Sequence, residues 1–219
     1  AAGCADDEED CARYAKKYAS GAFFEETLKE QAVNNDMYTD IYLCDTPDDY
    51  YNTLVNVWLK RQVSLGKTWG RVYGKGFRDV MQDITAFVSF DPALARKRIL
   101  YALKHQYENG NPIRMYEPDL THPYMDGAAW IPAALLAYLK ETDDESILDE
   151  QVGYLHCDIV DSVLDHARKG MQFLLDSLGQ HGLVLWGGGD WNDSVNNAGM
   201  LGKGESVWLS IATVKEINE

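Results

Sequence analysis

Apolar residues along this chain recur at helical spacing, and the strict alternation of a half-buried strand persists nowhere. Residues 5–33 read as one or two polar, charged helices, broken at "SGAF". "CDTPDD" then punctuates the chain: Asp45 or Thr46 offers a cap, and Pro47 suits a first helical turn. Six further helices are predicted. The first, about 48–65, offers Leu54, Val57, Trp58 and Val63 to a core. The second runs from about 77 to 90, and Asp91 caps the third, 92–107, whose inner face carries Leu94, Ile99, Ala102 and Leu103. The fourth, about 127–140, is apolar nearly all round. The fifth, about 159–178, is amphipathic through Val160, Leu164, Ala167, Met171, Leu174 and Leu178. The sixth begins near Glu205 and continues to the last residue.

The connections differ in kind. Helices two and three meet at the very short "SFDP", and four and five join through "ETDDES" and a short polar segment. The others are long and rich in Gly, aromatics and acids: "GKTWGRVYGKGFRD", "ENGNPIRMYEPDLTHPYMDG" and "GQHGLVLWGGGDWNDSVNNAGMLGKGE". If neighbours are antiparallel, every odd-to-even connection lies at the same end, so these three loops converge on one rim. Helices two and four are apolar on most faces, which places even helices inside and odd helices outside. The expected fold is all-α: helical hairpins in a double-layered α/α toroid, of which three hairpins form an arc.

Composition narrows the function. With 46% hydrophobic and 25% charged residues the 219-residue chain is globular. A formal net charge of −15 makes nucleic acid an unsuitable partner, because phosphate binding needs a basic patch. The longest apolar run, "AAWIPAALLAYL", contains Pro132 and falls short of the roughly 18 residues of a membrane span, so no membrane partner is expected. The acidic first residues do not resemble a signal peptide, and a cytoplasmic protein is expected. Cys4, Cys11, Cys44 and Cys157 form no CxxC pair and read as free thiols, with a metal or disulfide role as the alternative; no His/Cys metal spacing occurs. GxSxG and a phosphate-binding P-loop are also missing.

Each long loop holds candidate chemistry. In "GKGFRDVMQD", Arg78 and Asp79 read as a helix cap with a surface ion pair, or as a clamp in which Asp79 accepts from sugar hydroxyls and Arg78 donates. In the second loop His122, beside Pro123, reads as structural, with a ligand role as the alternative. Asp126, before Trp130, caps helix four or binds ligand. In "HGLVLWGGGDWNDSVN", Asp190 suits a turn cap, whereas Asp193 packed against Trp191 or Trp186 would be desolvated and kept protonated as a general acid. The glycines before it would leave room for a sugar. Acids, Arg and aromatics on one rim fit a carbohydrate cleft.

The order of "TPDDYYNTLVNVWLKRQ", "GFRDVMQD", "ILYALKHQYENG", "AAWIPAALLAYLKETDDESILDEQVGYL" and "HGLVLWGGGDWNDSVN...GESVW" resembles glycoside hydrolase family 94 from about Thr46 to Ser210. That family comprises cellobiose, cellodextrin and chitobiose phosphorylases and the phosphorolytic part of cyclic β-1,2-glucan synthases. The resemblance implies an (α/α)6 barrel and inverting phosphorolysis of β-linked gluco-oligosaccharides, with inorganic phosphate as co-substrate and no cofactor. It implies that Asp193 is the general acid, Trp191 a donor-subsite residue, and Arg78 and Asp79 the donor-sugar clamp. Asp126 stands where relatives often carry a paired acid contacting the acceptor. Residues 1–45 then form a helical linker and 46–219 the N-terminal half of the barrel. The family's β-sandwich and phosphate-binding residues would lie outside this sequence, so the chain alone is expected to be inactive and the full-length protein a homodimer. A hydrolase on the same barrel and a non-catalytic carbohydrate-binding fragment are the alternatives.

Overall fold

The computed structural model describes residues 5–39, 41–69 and 74–219, with their side chains except at 34–39 and 68–69. Cys4 and part of the first long loop lie outside the described residues. Two compact units divide at Gln62–Val63.

The smaller unit carries α1 (Glu8–Tyr18), α2 (Gly21–Thr39), α3 (Asp49–Thr53) and a π-helical stretch, Leu54–Leu59. Asp7 caps α1 by accepting from the Asp10 N–H at 2.8 Å. Asp48, not Asp45 or Thr46, caps α3, accepting from the Tyr50 N–H at 2.9 Å. Thr46 is engaged otherwise: Asn52 Oδ1 accepts from its N–H at 2.8 Å, while Asn52 Nδ2 donates to its carbonyl at 2.9 Å. Asn56 grips Cys44 in the same two-way manner, so two amide side chains strap residues 44–46 to the helix that follows. The core expected from Leu54, Val57 and Trp58 does not form here: Leu54 is half-buried and the other two are exposed. The π-helical i→i+5 bonding carries positions spaced for an α-helix off a single face.

α4 spans Lys60–Trp69, and its Val63 packs on the core of the larger unit, as predicted. That unit contains α5 (Phe77–Phe87), α6 (Pro92–Leu103), α7 (Trp130–Thr142), α8 (Val163–Asp176) and α9 (Val207–Asn218). α5, α6 and α7 pack mutually around Met81, Ile84, Ile99, Leu103 and Ile131, all fully buried and each contributing roughly 1.5–3 kcal/mol. α8 adds Val163 and Ala167 to this core, and Leu174 to a second cluster with Leu209. Asp91, with Pro92 behind it, caps α6 through the Leu94 N–H at 3.0 Å, as read from the sequence. Ser162 caps α8 through the Asp165 N–H at 3.1 Å.

The hairpin pattern makes the fold all-α, part of an α/α toroid. Departures are local. Helices two, three and five end earlier than their periodicity suggested, and 160–162 is extended. Those residues form β4 (Val160–Ser162) against β3 (Gln151–Gly153), while β1 (Lys75–Gly76) pairs with β2 (Met115–Tyr116). The sixth helix, α9, is not buried all round: Leu209 and Thr213 are covered, but Val207, Ile211 and Val214 are exposed. It packs against α8 and the 126–129 turn, and meets α7 through Trp208 beside Trp130.

Candidate functional site

The long loops do meet at one end. Arg78, in the first turn of α5, joins them with its guanidinium. Nη1 donates to Asp126 Oδ2 at 3.2 Å and to the Asp190 carbonyl at 2.8 Å. Nη2 donates to both oxygens of Asp193 at 2.8 Å. Beside it lies a cavity of about 130 Å³, lined among others by Arg78, Asp79, Arg114, Tyr124, Asp126 and Asp193.

Local structure explains each placement. β1 pairs with β2 in the register Gly76↔Met115, and the Phe77 N–H donates to the Arg114 carbonyl at 3.0 Å. This delivers the start of α5, and with it Arg78 and Asp79, to the second loop. Asp126 opens a 3₁₀ turn that leads into α7. Asp193 opens another, in which Asn192 Oδ1 accepts from the Ser194 N–H at 3.3 Å.

The glycines before Asp193 serve the protein rather than a ligand. Gly187 has φ +57°, and a Cβ there would lie 2.6 Å from Met125 Cγ. A Cβ at Gly189 would meet the Tyr124 ring at 2.7 Å. The room expected for a sugar is filled by the second loop. Further bonds hold the two loops together: Met125 N–H to the Gly189 carbonyl at 2.9 Å, the His122 ring to the Gly188 carbonyl at 3.0 Å, and Asn196 Nδ2 to Tyr124 Oη at 2.7 Å. His122 therefore has the structural part read for it.

The four carboxylates differ in environment. Asp190 is buried; Oδ2 accepts from Ser206 Oγ at 2.5 Å and Oδ1 from the Asn192 N–H at 2.8 Å, so it has no face for a ligand. Asp193 is not packed away against Trp191 or Trp186; its side chain is 57% exposed and paired with Arg78. The desolvated carboxyl is Asp126, 1% exposed. Burial pushes its pKa above the usual carboxylate range, against the pull of Arg78 and of the Trp130 N–H at 3.3 Å. Its Oδ1 is buried without a hydrogen-bond partner. Burial works against the charge of Arg78, yet Asp126 and Asp193 beside it hold its pKa above the ordinary value. Asp79 lines the cavity and folds back toward Gly76.

Trp191 is brought near but does not line the cavity. It is half exposed and stacks on Trp208 with ring centroids 5.8 Å apart, and Trp208 in turn lies 6.1 Å from Trp130. The residues missed from sequence are Arg114 and Tyr124, whose ring carries the Arg114 guanidinium at 4.2 Å and that of Arg78 at 5.5 Å. Their signal was an Arg and a Tyr in the same aromatic, acidic loop as Asp126. Among the described residues no cluster of His, Cys, Asp or Glu is arranged for a metal ion, and no helix is long and apolar enough to cross a membrane.

Known proteins are similar to this sequence. The chain is 40% identical to the solabiose phosphorylase of Paenibacillus borealis, an alignment covering 99% of this chain and 28% of that protein. It is 32% identical to the cellobionic acid phosphorylase of Neurospora crassa, again over 99% and 28% of the two chains. With the N,N'-diacetylchitobiose phosphorylase of Vibrio furnissii it shares 27% identity, over 75% of this chain and 25% of that one. The chain thus spans little more than a quarter of the length of these relatives. Residues 35–219 match the family described as glycosyl hydrolase 94 superfamily, catalytic domain. Through that catalytic region, this chain belongs to the glycosyl hydrolase 94 superfamily.

Proposed function

We propose that the protein carrying this chain is an inverting glycoside phosphorylase acting on β-linked gluco-oligosaccharides. The observation that carries the reading is the joining of Asp126 and Asp193 by Arg78 at the edge of one cavity, on a chain similar to several phosphorylases. Phosphate attacks the anomeric carbon, the glycosidic bond breaks, and the anomeric configuration inverts. Asp193 protonates the departing oxygen, giving a sugar 1-phosphate and a shortened acceptor. Inverting hydrolysis needs a second carboxylate to activate water, but phosphate is already an anionic nucleophile and needs no base. Asp190, closed off by Ser206 and Asn192, fits a one-acid mechanism.

Arg78 and Asp79 clamp the donor sugar, Trp191 contacts it, and Asp126 offers its unpartnered oxygen to a hydroxyl. Both Asp193 oxygens accept from Arg78 Nη2, and a carboxylate held in that ion pair has no proton to give a leaving group. The pair therefore opens as the sugar enters. Inorganic phosphate is the co-substrate and no cofactor takes part. Residues 1–45 serve as a helical linker and 46–219 as barrel, in a cytoplasmic homodimer.

The test is phosphate-dependent release of sugar 1-phosphate from β-linked disaccharides. Asp193→Asn is expected to lower the rate about 100-fold or more, since it removes the proton donor. An unchanged rate refutes the assignment of the acid. Release of free sugar without phosphate identifies a hydrolase instead.

A further inference from the structure

The hydrogen-bonding capacity of the cavity is unevenly used. Arg78 directs its guanidinium at Asp126, the Asp190 carbonyl and Asp193. Arg114 lines the same cavity, and among the described residues its guanidinium has no hydrogen-bonded or ion-paired partner. Its contact is the Tyr124 ring, 4.2 Å from Cζ. In a chain with a net charge of −15, an arginine beside a cavity without a carboxylate partner stands out. It is also held in place. Its carbonyl accepts the Phe77 N–H, and β2 begins at the next residue. Asp126 lines the same cavity; among the described residues its buried Oδ1 has no partner, while Oδ2 takes Arg78 and Trp130. A buried carboxylate oxygen left so is costly unless a ligand supplies the missing donor.

We propose that Arg114 and Asp126 Oδ1 together recognise one uncharged, hydroxyl-bearing sugar ring, with Arg114 as a specificity-determining residue. This rests on the carbohydrate reading above. A hydroxyl both donates and accepts, so a sugar ring satisfies Asp126 Oδ1 and the Arg114 fork together. The cavity, about 130 Å³, admits far more than one solvent molecule, which needs about 10–15 Å³ of such space. Hydrogen-bond polarity disfavours the anionic alternative. A carboxylate is an acceptor only, so a ring that turned one toward Asp126 Oδ1 would leave that buried oxygen without its donor.

The experiment measures equilibrium binding without phosphate, by calorimetry or ligand-observed NMR, in the protein carrying this chain. The probes are methyl β-D-glucoside and its charged twin, methyl β-D-glucuronide. Wild type is expected to bind the glucoside more tightly. Arg114→Gln should weaken glucoside binding about 10- to 100-fold, the usual effect of losing a charged hydrogen bond. It should also widen the gap between the two probes by making the cavity more negative, whereas Asp126→Asn should narrow it. A merely structural role for Arg114 would not move that gap. Glucoside affinity within about twofold of wild type in a folded Arg114→Gln protein, or an unmoved gap, overturns the proposal. If Arg114→Gln does not fold, Arg114→Lys keeps the charge but not the planar fork, and wild-type affinity there overturns it equally. Glucoside binding without phosphorolysis would strike the proposed reaction and leave Arg114 standing. Failure of the wild type to bind either probe removes both.

Discussion

Ser206 Oγ offers a quantitative test of how the acid-bearing loop is held. It donates to Asp190 Oδ2 at 2.5 Å and accepts from the Leu209 N–H at 3.0 Å, so one buried hydroxyl both anchors the loop and caps α9. Ser206→Ala removes a cap worth about 1 kcal/mol and a hydrogen bond to a carboxylate worth about 1.5–3 kcal/mol, for a total near 2.5–4 kcal/mol. Asp190→Ala removes the same bond and leaves the Asn192 N–H unpaired as well. The double variant loses the shared bond only once, so the two single costs should exceed the double cost by about 1.5–3 kcal/mol. Urea unfolding of the four proteins, compared by midpoint at constant slope, measures this coupling. Additivity within about 0.5 kcal/mol would refute the claim that Asp190 is a structural residue held by Ser206.

His166 is buried, with Nδ1 facing Gln106 Oε1 at 2.5 Å and Nε2 facing the Val152 carbonyl at 3.0 Å, and burial lowers its pKa. A ring with a depressed folded pKa contributes stability above its unfolded value of about 6.5 that is lost as pH falls. Urea midpoints of wild type should therefore drop below that pH more steeply than those of His166→Gln, and parallel profiles would contradict this. Gly187→Ala should cost about 1–3 kcal/mol, from its left-handed backbone and the clash with Met125. Gly182→Ala, also at positive φ but with open space around it, should cost only the backbone part of about 1–2 kcal/mol in the same thermal or urea measurement. Arg78→Lys keeps one charge but cannot span Asp126, Asp190 and Asp193, and kcat/KM for phosphorolysis is expected to fall at least tenfold, about 1.4 kcal/mol. An unchanged kcat/KM would show that the fork does not matter.

Much of the architecture was legible because helices leave a long, repeated trace. Ile99, Ala102 and Leu103 sit inward on α6 as their spacing required, and Asp91 with Pro92 marks its start. The alternation of short and long connections placed Arg78, Asp126 and Asp193 at one end, where the guanidinium joins them. The detail was harder. A single π-helical stretch moved Val57 and Trp58 off the face their spacing implied. Pairs of two or three residues, such as 75–76 with 115–116, are too short to show a period of two, so the pairing that carries Arg114 to the cavity left no trace of its own. The microenvironment of a carboxyl depends on contacts distant in sequence. Asp193 beside tryptophans looked desolvated, yet the acid whose pKa burial raises is Asp126, with a single tryptophan four residues away.

The reach of Arg78 has a kinetic consequence. Its partners lie 48, 112 and 115 residues further along the chain. Contacts of such separation must first overcome the entropy of closing long loops, and they form after helix pairs such as α5 with α6 have met. The clamp is therefore expected to form late, outside the folding nucleus. Truncating Arg78 should leave the refolding rate nearly unchanged and appear almost wholly as faster unfolding. The same guanidinium that assembles the site is then also a bolt, closing the finished fold after its shape has been settled elsewhere.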